Sequence, residues 1–201
     1  MQSTAIAPAA RDAASRILCR AFQEDPMLVH IVPDPGVRER VMPWFFDVTL
    51  RYGMLYGHVQ VRAEQDGAAI WLTPGNTTMT PWRMVRTGLM SAPFKFGIGG
   101  FQRMMDIVGT VEKAHKRLAA GEHWYLMGIG VDPSRQGRGV GSALLSEQLQ
   151  RIDTVGLPTY LETMNADNLP FYRRHGFEVG EQVQIPNGPF VWAMLRPGRR
   201  P

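Results

Sequence analysis

The stretch HWYLMGIGVDPSRQGRGVGSALLSEQLQRID, residues 123–153, constrains the fold more than any other part of the chain. It begins as an apolar run rich in strand formers and ends with apolar residues at helical spacing. Between the two lies a turn holding Gly137, Gly139 and Gly141 with Arg135 and Arg138 beside them. A strand that passes through glycines into a helix leaves the first helical N–H groups without acceptors, and the helix dipole adds positive potential there. Glycine removes side-chain bulk and permits positive φ, so the turn predicts an anion cradle sized for a pyrophosphate.

Two familiar phosphate loops fit poorly. The nucleoside triphosphatase loop requires a lysine after its second glycine, and this turn has none. The dinucleotide fingerprint requires GxGxxG with an acidic residue about 20 positions on, whereas the spacing here is Gly137, Gly139, Gly141 and the next strand carries Glu162. Residue types alone leave open a plain strand-to-helix turn whose glycines serve only chain geometry, with Arg135 and Arg138 as solvated charges.

The flanking sequence is read the same way. PAARDAASRILCRAF and GVRERVMPWFFDVTLRYGMLYG are helical, the second with Pro43 as a kink or start and Gly57 as its exit. HVQVRAEQDGAAIWLTPG predicts a hairpin around Asp66 and Gly67. Residues 80–120 are methionine-rich and too long for a bare loop, which predicts two helices and a joint near Pro93, Gly97, Gly99 and Gly100. After the glycine turn and its helix come PTYLETM as a strand, ADNLPFYRRHG as a short helix, and FEVGEQVQI and FVWAMLR as two last strands. The expected class is α/β, with an antiparallel finish.

The chain has 201 residues, 44% hydrophobic and 20% charged, which suits one folded domain with a sizeable core. The net charge of +4 comes from scattered cations without a basic stripe interleaved with aromatics, which argues against a nucleic-acid partner. One cysteine, Cys19, excludes an internal disulfide; its neighbours Leu18 and Phe22 mark it as a packing residue. The start has no basic head followed by a long apolar run, and no segment has the length of a membrane span, so a cytoplasmic location and no membrane partner are expected. The five histidines lack metal-ligand spacing, so no catalytic metal is expected.

QGRGVG, residues 136–141, resembles the acyl-CoA signature of the GCN5-related N-acetyltransferases (GNAT), where Gln or Arg is followed after two residues by Gly, any residue, and Gly or Ala. NADNLPFYRRHGFEV carries a second family pattern at Asn168, Tyr172, Gly176 and Phe177. Within the family, DGAA, WLTPG, GLPTYLETM and VQIPNGPFVWAMLRPG stand in the order of the puromycin N-acetyltransferase subfamily. The chain departs from that pattern in residues 80–120 and at its start, where the first strand is reduced to something like STAIAP.

The resemblance implies residues 1–201 as one GNAT domain: a mixed, largely antiparallel sheet flanked by helices, with strands splayed at an acetyl-CoA cleft and a helical insertion at about 80–120. Ile129 and Val131 would offer backbone groups to the pantetheine. Gln136, Gly137, Arg138, Gly139, Val140, Gly141 and Ser142 would surround the pyrophosphate, and Asn168 would lie along the pantetheine or cap its helix. Tyr172 matches the position that protonates the leaving sulfur. Glu162, on a predicted central strand, is the candidate base, or else a structural carboxylate paired to Arg173; His123, Asp25 and Asp47 are weaker choices. Trp44, Phe45, Tyr52 and Trp82 either line an acceptor pocket or pack in the core. The expected activity is acetylation of a primary amine on a small, antibiotic-like molecule by direct attack in a ternary complex. The alternatives are a protein or peptide amine, or a non-catalytic acyl-CoA sensor. A homodimer is compatible with all of these.

Overall fold

The computed structural model describes residues 6–199. Of the reduced first strand STAIAP, residues 3–5 lie outside the described residues; Pro8 already opens α1, Pro8–Ala21. α1 starts on a proline in its first turn, where no N–H bond is lost, and buries Ala13, Ala14, Ile17 and Leu18 on one face. The EDP sequence that follows this helix starts another. Asp25 accepts a hydrogen bond from the Met27 N–H and caps α2, Pro26–Ile31. Asp34 caps α3, Pro35–Tyr56, in the same way. Pro43 lies inside α3, neither starting nor ending it, and Gly57 follows its last residue.

The hairpin forms as expected, with β1 at Gly57–Val61 and β2 at Gly67–Leu72. Residues 80–120 contain α4, Pro81–Thr87, a 3-10 turn, and α5, Ala92–Leu118, which is interrupted at Gly97. The second half follows as β3, Trp124–Val131; α6, Val140–Asp153; β4, Thr159–Thr163; α7, Leu169–Arg174; β5, Glu178–Gln184; and β6, Phe190–Arg196. One six-stranded sheet runs β1-β2-β3-β4-β6-β5. All its neighbours are antiparallel except β3 and β4. Among the described residues no helix is long and apolar enough to cross a membrane.

That parallel pair is short. Only Trp124, Tyr125 and Leu126 find partners, at Thr159, Tyr160 and Leu161, and beyond them the strands part. On one sheet face α6 packs through Leu145, Leu149 and Ile152 onto Trp71, Leu126 and Leu161. On the other, α1, α3 and α5 share a core that includes Leu18, Phe46, Ile70 and Ile107. α1 comes so close to β3 that a Cβ on Gly130 would stand 2.9 Å from the Leu18 side chain. α5 also covers Tyr160 and Ala193 with Ala114. The helices of residues 80–120 are thus part of the core on the face where β3 and β4 diverge.

The C-terminal half is tied together by Arg196, whose side chain is 6% exposed. Its guanidinium makes two bonds to the Asp153 carboxylate, at 2.6 and 2.8 Å, and donates from Nε to the His175 carbonyl at 3.2 Å. One planar fork therefore links β6, the end of α6 and the exit of α7. These bonds hold the Asp153 pKa below the usual carboxylate range. Because the native value is depressed, this stabilisation is complete above the unfolded carboxylate's pKa and is lost as pH falls through the native one. Asp153→Ala strands a buried guanidinium and should lower stability by about 3 kcal/mol. Urea unfolding at pH 7 checks this, and the difference should shrink in acid.

Candidate active site

The gap between β3 and β4 opens into a cavity of about 820 Å³ that reaches from the glycine turn to α3 and α5. Hydrogen bonding in β3 shows what the gap exposes. The Asp132 N–H bonds to the Asp66 carbonyl at 2.9 Å, so residue 132, and by alternation Gly130 opposite Ala68, turn their peptide groups toward β2. Ile129 and Val131 then point theirs the other way, into the gap. Nearer the start of the strand the parity is opposite, since the Trp124 N–H reaches the Pro158 carbonyl on the β4 side. A bulge in the β2–β3 ladder, around Met127, accounts for the reversal. Gln136 caps the strand end, donating from Nε2 to the Val131 carbonyl at 3.2 Å.

The turn itself is short of acceptors. Gly137 and Gly139 have φ of +74° and +80°, and nothing lies within 4 Å of a Cβ placed on either, so backbone conformation requires glycine there. The first bond of α6 runs from the Ala143 N–H to the Gly139 carbonyl. The N–H groups of residues 137–142 have no acceptor among the described residues, and α6 has no side-chain N-cap. Gln136, Gly137, Gly139, Val140, Gly141 and Ser142 line the cavity, as do Ile129, Val131 and Asn168. Both arginines of the turn are exposed; Arg135 lines the cavity and Arg138 does not. Arg174, which the sequence reading passed over, joins Arg135 there. The donor set therefore suits a pyrophosphate followed by an amide-bearing arm along the open edge of β3.

Asn168 stands at the start of α7 without capping it through its side chain. Its Nδ2 instead approaches Thr163 Oγ1 at 3.5 Å, and Asn165 makes the local turn by accepting from the Asp167 N–H. α7 presents Tyr172, 7% exposed, to the cavity against Phe171 and Phe177. The Tyr172 hydroxyl has no protein hydrogen-bond partner among the described residues. Burial, helped by the Asp25 charge, raises its pKa well above that of an ordinary phenol, so it stays protonated.

Glu162 occupies the β4 wall of the same cavity. Its side chain is half-buried, and Oε1 is shielded from solvent. No salt bridge to Arg173 forms, and Oε1 has no hydrogen-bond partner. Desolvation pushes its pKa up to about 7, against the opposing pull of the Tyr125 and Tyr160 hydroxyls, which favour the carboxylate. A carboxyl that titrates near neutrality is suited to accept a proton at physiological pH.

Of the weaker candidates, Asp25 lines the cavity near Tyr172 while serving as the α2 cap. Asp47 is engaged by Arg11 and Arg51. His123 lies outside the cavity, but its Nε2 is 2.7 Å from Nε2 of His115, which lines it. Phe45 and Tyr52 line the cavity; Trp44 packs against Phe96, and Trp82 is 70% exposed. Cys19 packs against the core, as expected. Tyr125, Glu112 and His115 also line the site and were missed by the sequence reading. No spacing signals them, because helix and strand meet there only in three dimensions.

Comparison with known proteins follows the same outline. Residues 102–179 match the family model of the acetyltransferase (GNAT) domain. An uncharacterised N-acetyltransferase of Schizosaccharomyces pombe is 25% identical over 178 residues, covering 86% of this chain and 72% of that protein. A solved structure from Corynebacterium glutamicum, described as histone acetyltransferase HPA2 and related acetyltransferase, superposes with a TM-score of 0.67 at 22% identity, over 98% of this chain and 96% of that one. Agmatine N-acetyltransferase superposes with a TM-score of 0.60 at 15% identity, over 94% and 95%. At these identities the two superpositions speak for the fold alone. Residues 102–179 thus match the GNAT acetyltransferase domain model, in a chain whose fold is shared with solved acetyltransferases over nearly its whole length.

Proposed function

We propose that the protein transfers the acetyl group of acetyl-CoA to the primary amine of a small molecule with an apolar body, by direct attack in a ternary complex. The observation that carries this reading is an unpaired carboxyl, Glu162, on the wall of the cavity that also holds the Tyr172 phenol and the unpaired donors of the glycine turn. Residues 137–142 would bind the diphosphate through their N–H groups, with Arg135 and Arg174 adding charge. The peptide group of Ile129 and the N–H of Val131, whose carbonyl already accepts from Gln136, would hold the pantetheine with Asn168. Acetyl-CoA supplies the thioester: the nitrogen–carbon bond forms as the carbon–sulfur bond breaks.

The chain's own groups handle the protons. Glu162, ionised above about pH 7, takes the proton that leaves the amine and passes it to solvent. The Tyr172 hydroxyl, kept neutral by burial, gives its proton to the departing thiolate. The far half of the cavity supports the choice of acceptor. Phe45, Phe46, Met79, Leu89 and Val108 make an apolar wall, while Glu162, when ionised, supplies the negative charge that favours an amine. The subsidiary likeness to the puromycin N-acetyltransferases, which rests on sequence, makes an antibiotic-like amine the first acceptor to try.

The test is acetyl-CoA-dependent thiol release with 2-phenylethylamine, puromycin, agmatine and an alanine-headed tetrapeptide. Turnover of the apolar amines supports the reading, and turnover of the tetrapeptide alone would move it to peptide acceptors. Cofactor binding without turnover of any of them would leave a sensor. Two variants separate binding from chemistry. Tyr172→Phe should keep CoA affinity and lower kcat about a hundredfold. Gly139→Asp should weaken CoA binding by straining a positive-φ site and placing negative charge beside the phosphates, as calorimetry would read directly.

Glu162 also couples function to stability. Its pKa is raised on folding, so between the unfolded value and about 7 the native state binds the extra proton and stability falls as pH rises. Glu162→Gln should therefore be more stable than the parent at pH 8, and the gap should close toward pH 4. The same variant should lose the rise in kcat/KM through pH 7.

A further inference from the structure

His115 and His123 form a pair that the transfer mechanism does not use. His115, near the end of α5, is 6% exposed and lines the cavity; His123 directly precedes β3 and is 5% exposed. Their Nε2 atoms are 2.7 Å apart, and His123 Nδ1 is 2.6 Å from the Gly121 carbonyl. These contacts fix the tautomers. A carbonyl only accepts, so His123 Nδ1 carries a proton. In the neutral ring its Nε2 is then bare and must accept from a protonated His115 Nε2. The neutral His115 ring is left with a lone pair on Nδ1, and that atom makes no hydrogen bond to the described protein.

We propose that His115 is a binding residue for the acceptor, its Nδ1 lone pair accepting a hydrogen bond from a primary amine or ammonium, with His123 as the residue that fixes this tautomer. This rests on the reading of the cavity as the amine site. His115 lies against the same tyrosines as Glu162: its ring stacks on Tyr160 at 4.3 Å and 5°, and stands 5.2 Å from Tyr125, and both hydroxyls act on the Glu162 carboxyl. A primary ammonium brings three N–H donors, more than one carboxylate oxygen can accept in a single direction. The two acceptors, one on β4 and one on α5, engage it from different elements.

The surroundings keep the lone pair available. His115 has Glu112 and Lys116 on its own helix, His123 and Tyr125 from the β3 side and Tyr160 from β4, and Glu162 lines the same cavity. Lys116 is paired with Glu112 at 3.1 Å. Burial, with the neighbouring His123 and Lys116, lowers the His115 pKa to about 4, so the ring is neutral at any pH where Glu162 is ionised.

Long-range 1H–15N correlation of the imidazoles in the CoA-bound protein reads the tautomers directly. The expected result is a proton on Nε2 of His115 and on Nδ1 of His123, with the His115 Nδ1 resonance shifting on titration with at least one of the four amines named above. A proton on His115 Nδ1, or no shift of that nitrogen with any of the four, overturns the proposal whether or not any amine is acetylated. Kinetics give a second readout. His115→Phe retains the stack on Tyr160 and should raise the KM for the amine about tenfold, the loss of one hydrogen bond to a charged group. Its kcat and CoA affinity should stay within about twofold of the parent, and its preference for a primary over an N-methylated amine should fall. An unchanged amine KM in this variant also overturns the proposal. Failure of acetyl transfer itself is read separately, as absence of thiol release by the parent protein.

Discussion

β3 and β4 pair for three residues and then separate, and the site depends on that separation. A parallel ladder that continued would satisfy the peptide groups of Ile129 and Val131 and close the sheet. Because it stops at Leu126 and Leu161, half-buried backbone groups on β3 are left open to solvent or to a ligand with amides of its own. The same divergence leaves Glu162 without a neighbour on its open side and sets the glycine turn at the mouth of the gap. The proposed cofactor groove, the candidate base and the proposed acceptor cavity all follow from one interrupted ladder.

Much of this was legible in the sequence because it is written in local signals. Glycine spacing after an apolar run marked the cradle, and Gly137 and Gly139 do adopt the positive φ that makes glycine necessary there. Alternation in PTYLETM placed Glu162 on a central strand, where a carboxylate without a cation was the informative oddity. Local signals failed where contact is made across the fold. Arg138 seemed as well placed as Arg135, yet of the two only Arg135 lines the cavity. His115 and His123 show no motif, because their bond joins a helix to the start of a strand. α2 was missed because its Asp-Pro start reads equally as the end of α1.

The helices of residues 80–120 gain a defined place in this account. α5 packs on β4, β5 and β6 and brings Glu112 and His115 to the cavity wall, while the segment before it contributes Met79, Thr87 and Leu89. In the proposed reading the sheet and the glycine turn would form the cofactor side, and the long helix with α3 the acceptor side. The sequence departs from its family resemblance in the half where an enzyme of this kind would set its acceptor, and keeps to it in the half that would hold the cofactor.

The central claim is that an enclosed cavity makes Glu162 a base poised near neutral pH. Side-chain 13C titration of glutamate-labelled protein, with Glu162→Gln to assign the signal, measures this with no knowledge of the acceptor. The account predicts a carboxyl that titrates near pH 7. A Glu162 resonance that titrates at the ordinary value, about 4.3, would contradict it.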